Sequence, residues 1–448
     1  MDPVLEKIYS IKKSEIPDYA RNLMLGGGTR GGPVLVRGKG CWVEDIDGKR
    51  YIDCTSQSWA LYLGYANDAI NTIVSEHLRN LSHVHQGFDT LSRFAMARKL
   101  AELAPKALDR VSFTVGGGPA VEAAMKIAVK NRPGAQEFIC LYDSYHGTTL
   151  GTMGASWQST MAGGKMMAPA TYNRLTKQFI RVPNPYCYRC PLGLDEASCG
   201  LACAERLREV VRLHLSGDCC AFVAEPIMGE GGIIVPPAGY FKAVKEILDQ
   251  EGILFIADEV QSGFGRSGKL FAIEHFGVTP DIMTMAKGIA DGWPLGAFTA
   301  RAEIADAFQV GDHLSTFGGN PVSCAASLAN IAFMTETDLP GQAAVKGEKL
   351  MARLRAHAEH ESLIGDVRGK GLMVGVELVK DRETKAYATA EAGFVRNYCL
   401  EHGLLIGVGG NFGNVLRLQP PLVISEAELD TVFATVAEAI EASRGAVA

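Results

Sequence analysis

The chain reads as an α/β protein: a large lobe built on a mostly parallel sheet with helices on both faces, followed by a smaller α+β lobe. Three observations predict this. Short apolar runs at 220–224 and 253–257 have the unbroken pattern of strands buried on both faces, not the alternation of strands with one wet face. Amphipathic stretches such as 240–250 separate the runs, so strand and helix alternate from residue 53 to about 320. Past a long helical stretch at 321–359, the pattern changes to short strands and two further helices.

Taken in order, residues 1–52 form an arm, with glycines at Gly26, Gly27 and Gly28 and a strand-turn-strand pattern over 34–52, that packs with the small domain. Residues 53–330 are the large domain, with strands expected at 138–142, 220–224, 253–258, 282–286 and 295–300. Residues 331–448 are the small domain, with strands at 371–379 and 415–418 and helices near 388–402 and 426–442. In sheets of this kind ligands gather at the carboxyl ends of the strands.

The bulk composition bounds the function. A chain of 448 residues, 47% hydrophobic and 21% charged, has the balance of a globular enzyme with two or three lobes. Its net charge of −6 arises from 44 basic and 50 acidic residues without a basic stripe, which argues against a nucleic acid partner. A charged N-terminus, and no apolar run of the roughly 18 residues that a span requires, predict a cytoplasmic protein with no membrane partner. Eleven cysteines, an odd number, argue against a secreted disulfide framework. Cys187 and Cys190 form a C-x-x-C pair with Cys199 and Cys203 close behind, enough sulfur for a tetrahedral zinc site. Cys199 and Cys203, however, fall at helical spacing and read as packing thiols, so no metal is expected.

Lys287 carries the strongest chemical signal. It closes the apolar run 281–286 and precedes Gly288, which puts a lone amine where a buried strand gives way to a loop. Asp258 ends the run 253–257 and Gln261 follows three residues later, so a carboxylate reaches the same sheet edge. This pair suits pyridoxal phosphate chemistry, with the lysine holding the cofactor as a Schiff base and the carboxylate keeping the pyridine nitrogen protonated. Gly116, Gly117 and Gly118 lead through Pro119, placed for the first helical position, into a helix whose free N–H groups and dipole form an anion site. Tyr145, in Tyr145-His146-Gly147, puts an aromatic ring at that edge, suited to stacking on a planar cofactor or to capping the sheet. Glu225 ends another strand, as a site acid or an ordinary loop acid, and Thr316 precedes a helix as a ligand or a cap.

Taken together, these residues resemble the class III aminotransferases, the pyridoxal phosphate enzymes related to ornithine, 4-aminobutyrate and alanine–glyoxylate aminotransferases. The likeness runs from about residue 30 to the C-terminus. Its most specific part is Phe255-Ile256-Ala257-Asp258-Glu259-Val260-Gln261-Ser262-Gly263-Phe264-Gly265-Arg266, with Pro280-Asp281-Ile282 and Ala286-Lys287-Gly288 downstream. The resemblance implies the fold-type-I architecture with a seven-stranded sheet, pyridoxal 5'-phosphate as cofactor, amino acid or amine and 2-oxo acid substrates, and a homodimer with active sites at the interface. It implies that Lys287 is the Schiff-base lysine, that Asp258 meets the pyridine nitrogen, and that Gln261 lies beside the ring hydroxyl. Gly117 and Gly118 fall where the family binds phosphate, Tyr145 matches the stacking aromatic, and Thr316 matches a threonine reaching the phosphate from the neighbouring subunit. Arg417 is similar to the arginine that receives a substrate carboxylate, Glu225 to the acid that can hold this arginine aside when a substrate has no carboxylate there, and Trp59 to a substrate-side residue.

Two departures from the family stand out. Gly116-Gly117-Gly118-Pro119 replaces a loop that usually carries hydroxyls, leaving phosphate binding to backbone and Thr316. Thr148 stands where 4-aminobutyrate enzymes have an arginine, which disfavours a distal carboxylate. The regions 403–421 and 315–324 look most like the alanine–glyoxylate branch, which implies alanine with pyruvate or glyoxylate. An amino-acid racemase or epimerase, or a dialkylglycine-type decarboxylase, would use the same lysine and aspartate. A requirement for a 2-oxo acid acceptor separates the transaminase from these alternatives. A catalytically silent binding protein is suggested only by the altered phosphate loop, and the intact Lys287 and Asp258 oppose it.

Overall fold

The computed structural model describes residues 2–24, 32–156, 161, 162, 165, 166, 178–213, 215 and 218–446; Gly26, Gly27 and Gly28 lie outside them. Seven strands form the central sheet, in the order Arg110–Thr114, Gly296–Ala300, Ile282–Met285, Leu254–Asp258, Cys219–Ala224, Glu137–Leu141 and Phe179–Val182. Five of these are the expected strands, shifted by a residue at their ends. Every residue of Cys219–Ala224 is buried, as the unbroken apolar run requires. The pairings are parallel except at Gly296–Ala300, which runs antiparallel to both of its neighbours.

Sequence reasoning missed Arg110–Thr114 and Phe179–Val182 for one physical reason. Each is an edge strand and each mixes polar with apolar residues, so neither shows an apolar run. Helix Tyr240–Glu251 packs on one face of the sheet by stacking Phe241 on Phe255, with ring centroids 5.6 Å apart. Such an aromatic pair is worth about 0.5–1.5 kcal/mol beyond its buried area. Helix Gly117–Asn131 turns Ala120, Val121, Ala123, Ala124, Ile127 and Ala128 inward, and these small side chains let it lie close to the strands. Pro119 is the third residue of this helix and not the first, a position still within the turn whose N–H groups have no partner inside the helix.

The helical stretch expected over 321–359 is two helices, Pro321–Glu336 and Leu339–Ala358. Asp338 breaks it by adopting a left-handed φ of 47° and accepting a hydrogen bond from Gly341 N at 3.2 Å. Beyond the break, Ile364–Lys370, Met373–Leu378, Val415–Leu418 and Gly407–Gly409 form an antiparallel sheet on which Leu339–Ala358 and Thr389–Glu401 pack, with Glu426–Ala446 lying against both helices. The arm strands Leu35–Lys39, Trp42–Asp45 and Arg50–Asp53 are joined by Leu404–Leu405, with Leu404 opposite Ile52. A short strand from the C-terminal region thus completes the arm sheet. No helix among the described residues is long and apolar enough to cross a membrane.

Candidate active site

The carboxyl ends of Leu254–Asp258 and Ile282–Met285 open on a cleft of about 340 Å3. Of the residues singled out from sequence, Gly117, Gly118, Tyr145, Glu225, Asp258, Gln261 and Lys287 line it together, as does Thr148. Arg417 and Trp59 stand outside the lining, and Thr316 is exposed on the surface of its own chain.

Lys287 follows its strand with a left-handed φ of 50°, a conformation that costs a non-glycine residue about 1–3 kcal/mol and marks a functional constraint. Its Nζ donates to Gln261 Oε1 at 3.2 Å, and Gln261 Nε2 donates in turn to Gln419 Oε1 at 3.2 Å. Burial brings the lysine amine down to about 8, although Glu225, Asp258 and Glu230 pull it back upward. An amine of this kind exchanges protons near neutral pH.

Asp258 accepts hydrogen bonds from Val260 N at 3.1 Å and Thr284 Oγ1 at 3.0 Å, while its other oxygen meets His146 Nδ1 at 2.7 Å. His146 was not among the residues singled out, although it sits in the same triplet as Tyr145. Its side chain is fully buried and its Nε2 has no partner among the described residues.

At the other end of the cleft, helix Gly117–Asn131 begins after Gly116 without any side-chain cap. Pro119 supplies no N–H, which leaves those of Gly117 and Gly118, both residues of the cleft lining, at the positive end of the helix dipole. A Cβ at Gly117 would lie 2.7 Å from Val260 Cγ1, so only glycine brings the backbone this close.

Glu225 lies in the cleft away from Arg417. Its Oε1 accepts from Tyr145 N at 2.9 Å and its Oε2 from Gly229 N at 2.8 Å, tying two loops to the cleft floor. Burial pushes this acid up to about 7, with His146 lowering it and Asp258 raising it. The carboxylate on Arg417 is Glu230, 2.6 Å from Nη1. The guanidinium also lies over the Trp59 ring at 4.7 Å, and its Nε has no partner among the described residues. Trp59 is aimed there by an unusual turn, Ser56 to Trp59, in which all four residues have positive φ. A Cβ at Gly409 would meet Arg417 Nε at 2.6 Å, so the glycine leaves room for the flat guanidinium.

Cys187, Cys190, Cys199 and Cys203 are half-buried free thiols, while the other seven cysteines are buried. Among the described residues no group of three or more His, Cys, Asp or Glu side chains is placed to hold a metal ion.

The family model described as aminotransferase class-III matches residues 30–440. The leucine/methionine racemase of Thermococcus litoralis is 41% identical over 400 residues, covering 89% of this chain and 88% of that protein. An adenosylmethionine-8-amino-7-oxononanoate aminotransferase from Geobacter sulfurreducens is 37% identical over 417 residues, covering 89% of each. The crystal structure of an (S)-enantioselective omega-transaminase from Thermomicrobium roseum superposes with a TM-score of 0.88 at 33% identity, covering 97% of this chain and 99% of that one.

Proposed function

The chain belongs to the class III aminotransferases, enzymes of the fold-type-I class that use pyridoxal 5'-phosphate, and from that premise we propose that Lys287 carries this cofactor and that a short amino acid and a pyruvate- or glyoxylate-type acceptor are the substrates. The observation that carries the proposal is the convergence of a proton-exchanging amine, a buried carboxylate and an uncapped helix start on one cleft. These groups fit the cofactor: Lys287 for its aldehyde, Asp258 for its ring nitrogen, the Gly117 and Gly118 N–H groups for its phosphate, and Tyr145 and Gln261 for its ring face and hydroxyl. The cofactor supplies an electron sink that lets the Cα–H bond of a bound amine break.

The protein's own groups do the rest. Lys287 Nζ, lowered to about 8 by burial, is the base that takes a proton and returns it. Asp258 keeps a negative charge at the cleft floor, and His146 and Thr284 fix its direction from behind. Glu225 fixes the Tyr145 backbone and the Gly229 loop, so the ring of Tyr145 is held over the cleft. Arg417 exchanges Glu230 for the substrate carboxylate, a change of one anion for another that keeps its charge compensated. Thr316, exposed on its own chain, serves the cleft of a second copy, which makes the working unit a homodimer. We also propose that residues 1–52, 53–330 and 331–448 act as arm, cofactor domain and small domain. Eleven free cysteines suit a reducing, cytoplasmic setting.

Borohydride reduction of the cofactor-loaded protein, followed by peptide mass spectrometry, tests the attachment. A pyridoxyl group on Lys287 is expected, and one on another lysine would overturn the proposal. Turnover of alanine with and without pyruvate or glyoxylate tests the reaction. The second reading, racemisation, is favoured by the 41% identical racemase, and inversion of an amino acid without any oxo acid would select it.

A further inference from the structure

A second cavity, also of about 340 Å3, lies where the large and small lobes meet. Asp143, Tyr186, Arg189, Tyr387, Asn411 and Phe412 are among its walls. The site bears charges of both signs. Arg189 gives its Nε to Glu377 and lies over the Tyr387 ring at 4.2 Å, but its buried Nη2 has no partner among the described residues. Glu377 needs nothing more from Arg189, since Arg368 Nη1 lies 2.8 Å away and Tyr186 and Asn414 also donate to it.

Asp143 presents the opposite charge. Its carboxylate accepts from two neutral amides, Asn184 Nδ2 at 2.6 Å and Asn411 Nδ2, and it forms no ion pair among the described residues. Burial pushes this acid up to about 6, so at neutral pH it is mostly charged in a place that disfavours charge. It is held there with a left-handed φ of 62°. An added cation at this point would relieve the cost. At the mouth, Tyr387 and Phe412 stack with centroids 3.8 Å apart, an apolar cover for whatever lies beneath.

We propose that this cavity is a second amino-acid-binding site, separate from the catalytic cleft, which takes a zwitterion with an apolar side chain by placing its carboxylate on Arg189 and its ammonium on Asp143. The planar guanidinium fork suits a carboxylate, and a few converging polar groups within an aromatic wall are the usual make-up of a small-ligand site. The site adjoins the cleft through the chain itself. Asp143 is two residues before Tyr145, and Gly231, another wall residue, follows the Glu230 that holds Arg417. An occupant therefore stiffens the two loops that shape the catalytic cleft.

Equilibrium dialysis of radiolabelled L-leucine against the borohydride-reduced holoenzyme, whose catalytic cleft is blocked, tests this. One L-leucine per subunit is expected to bind saturably. Asp143→Asn, which keeps the shape and tolerates the left-handed backbone, should weaken binding by about tenfold or more, as loss of a charged hydrogen bond does. Arg189→Lys, which keeps a cation beside Glu377, should weaken it as well. 4-Methylpentanoate and 3-methylbutylamine, each lacking one of the two charges, should compete about tenfold less well than leucine. Absence of saturable binding up to 10 mM, approximately the weak end of small-ligand affinity, would overturn the proposal. So would equal binding by Asp143→Asn, or equal competition by either analogue. Failure to find pyridoxyl-Lys287 in the same sample would count against the catalytic reading, while the comparison of wild type with Asp143→Asn still reports on this cavity.

Discussion

His146 Nδ1 stands 2.7 Å from Asp258 Oδ2, with both side chains buried. The buried imidazole spends its Nδ1 on the carboxylate, so it acts through the aspartate. Removing it leaves Asp258 with Val260 N and Thr284 Oγ1 as its donors. A hydrogen bond to a charged group contributes about 1.5–3 kcal/mol, so His146→Ala should lower kcat roughly 10- to 100-fold. Attachment of the cofactor to Lys287 should persist, and His146→Gln, which retains a donor, should recover part of the loss. Wild-type kcat in His146→Ala would reduce the contact to packing.

Asp258→Asn tests the carboxylate itself. Its amide oxygen can still accept from Val260 N and Thr284 Oγ1, so the fold should survive and circular dichroism should be unchanged. The fixed negative charge is gone, and preorganised electrostatic groups of this kind are worth several kcal/mol of barrier, roughly 100-fold or more in kcat. Near wild-type turnover would mean that the charge does not take part.

Titration of Lys287 gives a prediction with a definite sign. Burial lowers its amine from 10.5 to about 8, so the neutral form that attacks an aldehyde dominates above about 8 instead of above 10.5. The rate at which cofactor-free protein captures pyridoxal 5'-phosphate should therefore rise with pH and level off near 8 to 9; a rise continuing past 10 would refute the lowered value. Stability follows the same linkage. Between about 8 and 10.5 the unfolded chain binds the proton more tightly, so the folding cost of this lysine is full below 8 and vanishes as pH rises to 10.5. Lys287→Met should raise the Tm of the cofactor-free protein more at pH 7 than at pH 10.5.

The features legible in the sequence are those produced by local pattern. Asp258 and Lys287 each close an apolar run, and a buried strand has to deliver its next residue to the sheet edge, so both positions could be read without contacts. The pairing of Arg417 with Glu230 could not. It joins residues 187 apart across two lobes, and nothing near Glu230 distinguishes it from the equally buried-looking Glu225. His146 was hidden differently: its triplet was noticed, but which way its ring faces depends on Ser156 accepting from and donating to the surrounding loop. The edge strands Arg110–Thr114 and Phe179–Val182 lacked the apolar run that made the central strands visible.

Glu230 should control access to Arg417. Glu230→Gln keeps the shape but removes the competing charge, so the guanidinium is free to take a substrate carboxylate. The KM for alanine should fall several-fold, while amines without a carboxylate should react more slowly because the uncompensated arginine stays in their path. Steady-state kinetics with alanine and with a simple arylalkylamine measure both. If instead Glu225→Gln, which leaves the Arg417 contact intact, produced this split, the structural pairing would be wrong.

Substrate choice follows from Thr148 and Arg417 together. Thr148 lines the cleft where an arginine would hold a distal carboxylate, and Arg417, buried against Trp59, remains to take a nearer one. A charge-assisted arginine–carboxylate contact contributes about 1.5–3 kcal/mol, so losing one should change rates by roughly tenfold or more. Alanine should therefore convert the bound cofactor to its amine form about tenfold faster than 4-aminobutyrate, as followed by stopped-flow absorbance in a single turnover. Arg417→Ala should erase that preference by slowing alanine alone, since 4-aminobutyrate makes little use of the arginine. Thr148→Arg should narrow the gap from the other side by supplying the missing distal partner. An Arg417→Ala protein that still prefers alanine, or a wild-type protein that consumes both at one rate, would rule out Arg417 as the carboxylate receptor.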